Sequence, residues 1–277
     1  MDFERVVGVD FSAARRDAGR KTWIAEGTVA NGTFELDCLE DAASHLDCKP
    51  SRDETHEALV EHIRGFDDRT VVGLDFPFSL PAGLVDGKWC EFVEGTADNG
   101  EKWGVLGEID TPRELYDKAK SHADENGHDL RRKTDRATGG QEPTGFRIKT
   151  QTYYGISSVL GGIHDEVAVA PFDDPAGGDI VVTEAYPAAL LDELDANRTG
   201  YKRDTRAGIE ARQENVEVLQ EQSVTFGDDR EFAVATDDAL DAVTAAVAAW
   251  WAAENGFETA GHDDESVEGY IYADGPR

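Results

Sequence analysis

Acidic residues stand at the ends of several apolar runs in this chain. Asp10 closes VVGVD (6–10), Asp75 closes VVGLD (71–75) and Glu184 closes DIVVTE (179–184), while Asp238 and Asp241 open DDALDAVTAAVAAWW (237–251). A carboxylate at the end of a β-branched strand lies near the sheet edge where α/β proteins build their sites. Carboxylates brought together there repel one another unless a cation lies between them. Asp10, Asp75, Glu184, Asp238 and Asp241 are therefore the candidate metal ligands, for one or two Mg²⁺ or Mn²⁺ ions held by hard oxygens. Two such ions roughly 4 Å apart can activate water and stabilise the leaving oxygen of a phosphodiester.

The bland alternative for each residue is a turn or cap. Asp10 and Asp75 could simply end their strands, and Asp237 is well placed as a helix cap. Asp241 is harder to dismiss. It lies one turn inside the helix on the face of Ala245, where a buried charge needs a partner or a metal.

The elements that must position these residues follow from periodicity. Strands are expected at 6–10, 22–29 and 33–39, and Asn31-Gly32 marks a tight hairpin between the second and third. A helix at 51–64 presents Leu59, Val60 and Ile63 on one face and leads to a buried strand at 70–75. A fifth strand is expected at 179–184, helices at 113–125, 151–160, 209–220 and 237–251, and a short strand at 269–273. Residues 85–145 are polar and glycine-bearing with scattered aromatics, and read as an inserted lid carrying some helix. This order predicts one domain of the ribonuclease H-like three-layer class. Its five-stranded mixed sheet would be an antiparallel meander plus two parallel strands, with helices on both faces.

Composition sets the outer bounds. Against 27 Lys+Arg stand 58 Asp+Glu, a net charge of −31, yet 39% of the 277 residues are hydrophobic and fall into clean runs. That is enough for a packed core and argues against disorder. Acid spread over the whole length suits a cytosol of molar salt, and predicts a salt-loving archaeal source. Cys38, Cys48 and Cys90 form no C-x-x-C pair, which speaks against a disulfide framework or a zinc site. The opening MDFERVVGVD has no signal pattern, and no apolar run approaches the roughly 20 residues of a membrane helix, so a cytoplasmic protein is expected.

Basic residues are concentrated in two places. Arg131, Arg132, Lys133, Arg136, Arg147 and Lys149 face only Asp135 and Glu142, and Arg198, Lys202, Arg203 and Arg206 face only Asp204. They are either phosphate ligands or salt-bridge partners for the acidic surface. The seven histidines lie in polar stretches and read as solvated, no H-E-x-x-H motif occurs, and Ser12 has no identifiable base.

Several motifs together carry a resemblance. GVDFSA (8–13), GLDFPFSLP (73–81), TEAYPAALL (183–191), the Lys202, Gly208 and Arg212 stretch, DDALDA (237–242) and the EGYIY ending (268–272) are similar to domain-of-unknown-function family 429. That family is described as predicted nucleases of the ribonuclease H-like superfamily. The resemblance implies Asp10, Asp75, Glu184 and Asp241 as catalytic and metal positions, with Asp238 beside them. Ser12, Arg147, Lys149, Lys202 and Arg212 are the candidate substrate contacts. The expected activity is hydrolysis of a nucleic acid or a smaller phosphate ester. Two other classes stay open. One is a nucleotide-binding phosphotransferase of the actin and sugar-kinase type, although Ser12 stands where those proteins need glycine. The other is a catalytically silent binding protein.

Overall fold

The computed structural model describes residues 3–97 and 102–275. It contains a mixed α/β arrangement around a seven-stranded sheet. The strands are β1 (Arg5–Asp10), β2 (Trp23–Ala30), β3 (Thr33–Asp41), β4 (Thr70–Leu74), β5 (Ala168–Ala170), β6 (Ile180–Glu184) and β7 (Val224–Thr225), in the order β5-β6-β4-β1-β2-β3-β7. The hairpin at Asn31-Gly32 pairs β2 with β3 antiparallel, both turn residues taking positive φ (54° and 74°). β1 is antiparallel to β2 and parallel to β4, which is parallel to β6.

The expected five strands are thus all present, but the sheet has seven. β5 and β7, three and two residues long, extend its two edges in parallel with β6 and β3. Strands this short leave no readable alternation in a sequence. Residues 269–273 are not a strand; Ile271 alone forms a parallel bridge, to Glu184.

Helices cover both faces. They are α1 (Arg52–Arg64), α2 (Trp89–Ala97), α3 (Pro112–Asn126), α4 (Lys133–Thr138), α5 (Lys149–Tyr154), α6 (Pro187–Glu193), α7 (Arg206–Glu221), α8 (Arg230–Ala235) and α9 (Asp237–Glu254), with several shorter turns of helix between them. The pleat sorts the strand residues. Val6, Ala25, Val71 and Val181 join the core formed with α7 and α9, while Val7, Ile24, Val72 and Val182 join the core formed with α1, α2 and α3. Among the described residues no helix is long and apolar enough to cross a membrane.

The described part of 85–145 is a packed body rather than a loose lid. Trp89 stacks on Phe172 at 4.1 Å, and Trp103 stacks on Tyr153 at 5.0 Å. Trp89 and Trp103 are buried, and the Trp89 indole donates to the Phe78 carbonyl at 2.9 Å. Their spacing follows neither a helical nor a strand period, because short segments each contribute one or two rings.

Glycine decides how near α9 comes to the sheet. Gly8 and Gly73 are register partners on β1 and β4. A Cβ at Gly8 would lie 2.1 Å from the Ala242 carbonyl oxygen, and one at Gly73 would lie 2.3 Å from that of Ala245. Only a strand without side chains there lets the backbone of α9 rest on it. Ala242, Ala245 and Ala246 supply the matching thin face.

Candidate functional site

The parallel pairing of β1 and β4 continues to Val9 and Leu74, and the Asp75 amide donates to the Val9 carbonyl at 3.0 Å. Asp10 and Asp75 therefore leave the sheet side by side. Both keep the phase of Gly8 and Gly73, so both face α9. Asp241, one turn into α9, meets them there. Ligand oxygens of Asp10, Asp75 and Asp241 all lie within 4.8 Å of one another. Asp10 and Asp75 border a cleft of about 390 Å³ whose rim includes Ser12, Lys21, Gln151, Lys202 and Asp238.

Burial raises the carboxyls of this cluster, and their mutual repulsion adds to it. Asp10 is pushed well above the usual carboxylate range by burial and then by Asp241, Asp75 and Asp238. Asp75 is pushed up to about 7, chiefly by burial, with Lys202 opposing. Asp238, at the mouth of the cleft, is pushed up to about 6 by burial and by Asp237 and Asp241.

Two further residues hold Asp241. The Tyr201 hydroxyl donates to Oδ1 at 2.7 Å, and Lys202 Nζ donates to Oδ2 at 2.5 Å. Burial by itself would lower the Lys202 ammonium, but Asp241 and Asp75 more than reverse this and keep it protonated. Tyr201 is fully buried. No sequence pattern marked it, because its role depends on α9 lying across the strands.

Glu184 has a different position from the one expected. Its register partner on β4 is Leu74, one residue short of Asp75. Pleat alternation then puts it in phase with Ile180 and Val182, away from the α9 face. Both its oxygens are taken by Arg132, Nη1 to Oε2 at 2.6 Å and Nη2 to Oε1 at 2.5 Å, and the Phe78 amide donates to Oε2 at 2.9 Å. Burial pushes the Glu184 carboxyl up while Arg132 pulls it down, and Asp135 and Glu184 hold the guanidinium charged. Glu184 borders the cleft but is not a member of the three-carboxylate cluster. Arg132, grouped in the sequence with exposed cations, is fully buried. Of the two readings open for the basic group, phosphate ligand or salt-bridge partner, Arg132 takes the second: the guanidinium is spent on Glu184, Asp135 and the Glu268 carbonyl.

The other candidates divide. Ser12 and Lys202 border the cleft. Arg212 does not. It is buried and donates to the carbonyls of Val234, Tyr201 and Ala235, so it ties α7 to the end of α8 and to the chain before α7 instead of reaching a substrate. Arg147 is exposed and outside the cleft lining, and Lys149 lies 3.9 Å over the Phe146 ring with Nζ donating to that residue's carbonyl.

The segment 268–272 closes the floor. Glu268 accepts from the amides of Ala82 and Lys133, the Ile271 amide donates to Thr134 Oγ1, and the Tyr272 amide donates to the Glu184 carbonyl.

Comparison with known proteins identifies a family. The profile of the family described as "Protein of unknown function (DUF429)" covers residues 8–266. No curated protein and no solved structure matches the chain.

Proposed function

The chain belongs to the DUF429 family, and from the chemistry of its cleft we propose that it is a divalent-metal-dependent phosphodiesterase. The observation that carries this reading is the convergence of Asp10, Asp75 and Asp241 within 4.8 Å at the mouth of the sheet. Three hard oxygen donors, kept close at an electrostatic cost, suit Mg²⁺ or Mn²⁺. These three residues would hold the ion, with Asp238 nearby. When bound, it supplies charge for a phosphoryl oxygen and lowers the pKa of a bound water.

The protein groups have separable tasks. Tyr201 and Lys202 fix the Asp241 carboxylate, and the Lys202 ammonium brings positive charge to a cleft otherwise rich in acid. Asp75, pushed up to about 7 without an ion, would give up its proton on binding one, so metal uptake is coupled to proton release. Ser12, Lys21 and Gln151 border the space that a phosphate ester would fill. Gln151 Nε2 donates to the Phe11 carbonyl at 2.7 Å, which steadies the turn after Asp10. Glu184 and Arg132 position the chain that walls the cleft.

The strand order β3-β2-β1-β4-β6, a meander followed by two parallel strands, supports reading the inner sheet as ribonuclease H-like, with β5 and β7 as additions. The cleft is the size of a small-ligand pocket, and Arg147 and Lys149 lie outside it. A phosphate ester or a single-stranded end fits this cleft better than a duplex gripped along its length. The test is hydrolysis of bis(p-nitrophenyl) phosphate and of single-stranded and branched DNA and RNA, in molar KCl with Mg²⁺ or Mn²⁺. Metal-dependent turnover lost in Asp10→Asn is expected. Turnover that survives EDTA, or an equal rate in Asp10→Asn, would overturn the reading.

A further inference from the structure

Glu26 is a buried glutamate in the middle of β2, out of phase with Ala25 and therefore facing α1. Two imidazoles approach the same oxygen of its carboxylate. His45 Nε2 lies 2.9 Å and His62 Nε2 2.5 Å from Oε1. They come from separate elements: His45 ends the short helix Ala42–His45 after β3, and His62 belongs to the last turn of α1. The three ligand atoms lie within 4.8 Å of one another.

The atoms behind them are ordered as well. His45 Nδ1 faces Cys38 Sγ at 3.5 Å and Glu40 Oε2 at 3.7 Å. An acceptor at Nδ1 can keep a ring proton there when an ion takes the place of the proton at Nε2, the way outer partners orient metal-binding histidines. Arg5 Nη1 lies 3.5 Å from Glu26 Oε2, so it occupies the other oxygen and leaves Oε1 to the two rings. A surface cleft lined by Arg5, Glu26, His62 and Phe66 opens onto the group.

We propose that Glu26, His45 and His62 form a second metal site, remote from the Asp10 cleft and selective for a borderline ion such as Zn²⁺. Two imidazole nitrogens and one carboxylate oxygen favour zinc over magnesium, and three protein ligands beside a surface opening leave a further position for water or a small anion. In the metal-free protein the rings make hydrogen bonds to Oε1. Binding releases the Nε2 ring protons to solvent, puts a ligand bond in the place of each and sets the three atoms about 3.3 Å apart, as bonds of about 2.0 Å in tetrahedral geometry require. The bound ion would pin β2, the turn after β3 and the end of α1 together.

Cobalt(II) is the probe, because nitrogen-ligated low-coordinate Co²⁺ absorbs visibly whereas an all-oxygen site contributes little. Metal-free native protein and Asp10→Asn should develop the same visible bands, saturating at a single equivalent and bleached by Zn²⁺. His62→Gln and His45→Gln, checked for folding by circular dichroism, should each bind at least about tenfold more weakly. Retained bands in Asp10→Asn separate this site from the carboxylate cleft. Absence of bands in the native protein would overturn the proposal and leave a proton-sharing His–Glu–His triad. So would unchanged affinity in both histidine variants. A thiolate charge-transfer band lost in Cys38→Ser would also overturn it, by moving the ion to Cys38, Glu40 and His45.

Discussion

Asp10 shows what a shifted carboxyl does to stability. Asp75 binds its proton up to about pH 7 in the folded chain, against 3.8 for the unshifted group, and Asp10 and Asp241 are raised too. Between those values these carboxyls bind more protons in the folded state than in the unfolded one, so their contribution to the stability of the metal-free protein falls as pH rises from about 4 to about 7. Asp10→Asn removes one charge and keeps the shape. With EDTA present it should melt at least about 2–4 °C above the native protein at pH 7, a gain of about 1 kcal/mol, and the difference should shrink near pH 4. At pH 7 and fixed ionic strength, Mg²⁺ should raise the melting temperature of the native protein and leave Asp10→Asn nearly unmoved. Equal responses in the two proteins would remove the basis for a metal there. The residues of this cluster were legible in the sequence because Asp10 and Asp75 end apolar runs and Asp241 is a charge on the apolar face of a helix. Their partners were not: Tyr201 and Arg132 act across contacts made only in the folded chain. Glu184 was found for the right reason, its place at a strand end, but the register that turns it toward Arg132 is one residue out of phase with Asp75.

At the scale of elements, two attachments hold the cleft in shape. The first is the seating of α9 on Gly8 and Gly73. Gly8→Ala puts a methyl group 2.1 Å from the Ala242 carbonyl, so α9 must lift. Overpacking of this kind costs about 1–3 kcal/mol. The same displacement withdraws Asp241, so metal-dependent hydrolysis should fall by much more than the unfolded fraction explains, when both are measured on the same preparation. The second attachment is the Arg132 bridge between the chain preceding α4 and β6. Arg132→Met leaves Glu184 and Asp135 facing each other in a dry interior, and should cost about 3–5 kcal/mol in urea unfolding. A cost under about 1 kcal/mol would mean that water reaches the pair. The long strands and α1, α3, α7 and α9 were readable from their periods. The aromatic body built on Trp89, Trp103 and Tyr153 was not, since its rings come from irregular positions.

For the molecule as a whole, charge is the dominant fact. A net charge of −31 on 277 residues repels itself strongly when ions are scarce, with a Debye length of about 10 Å at 0.1 M salt and about 3 Å at 1 M. The melting temperature should therefore climb with KCl at constant divalent ion and level off near molar salt; a melting temperature that falls over this range would contradict a screened, salt-adapted surface. The net charge itself was directly legible in the sequence, because it depends on composition and not on placement. One consequence of the cleft floor concerns the timing of biosynthesis. Residues 268–272 hold Glu184, Thr134 and the amides of Ala82 and Lys133 in place, and a chain leaving the ribosome exposes them only after the strands they support. A nascent polypeptide cannot complete the cleft until Tyr272 has emerged. The walls around the carboxylates would then close late and all at once, so an unfinished chain would carry the acidic residues without the enclosure they have in the folded protein.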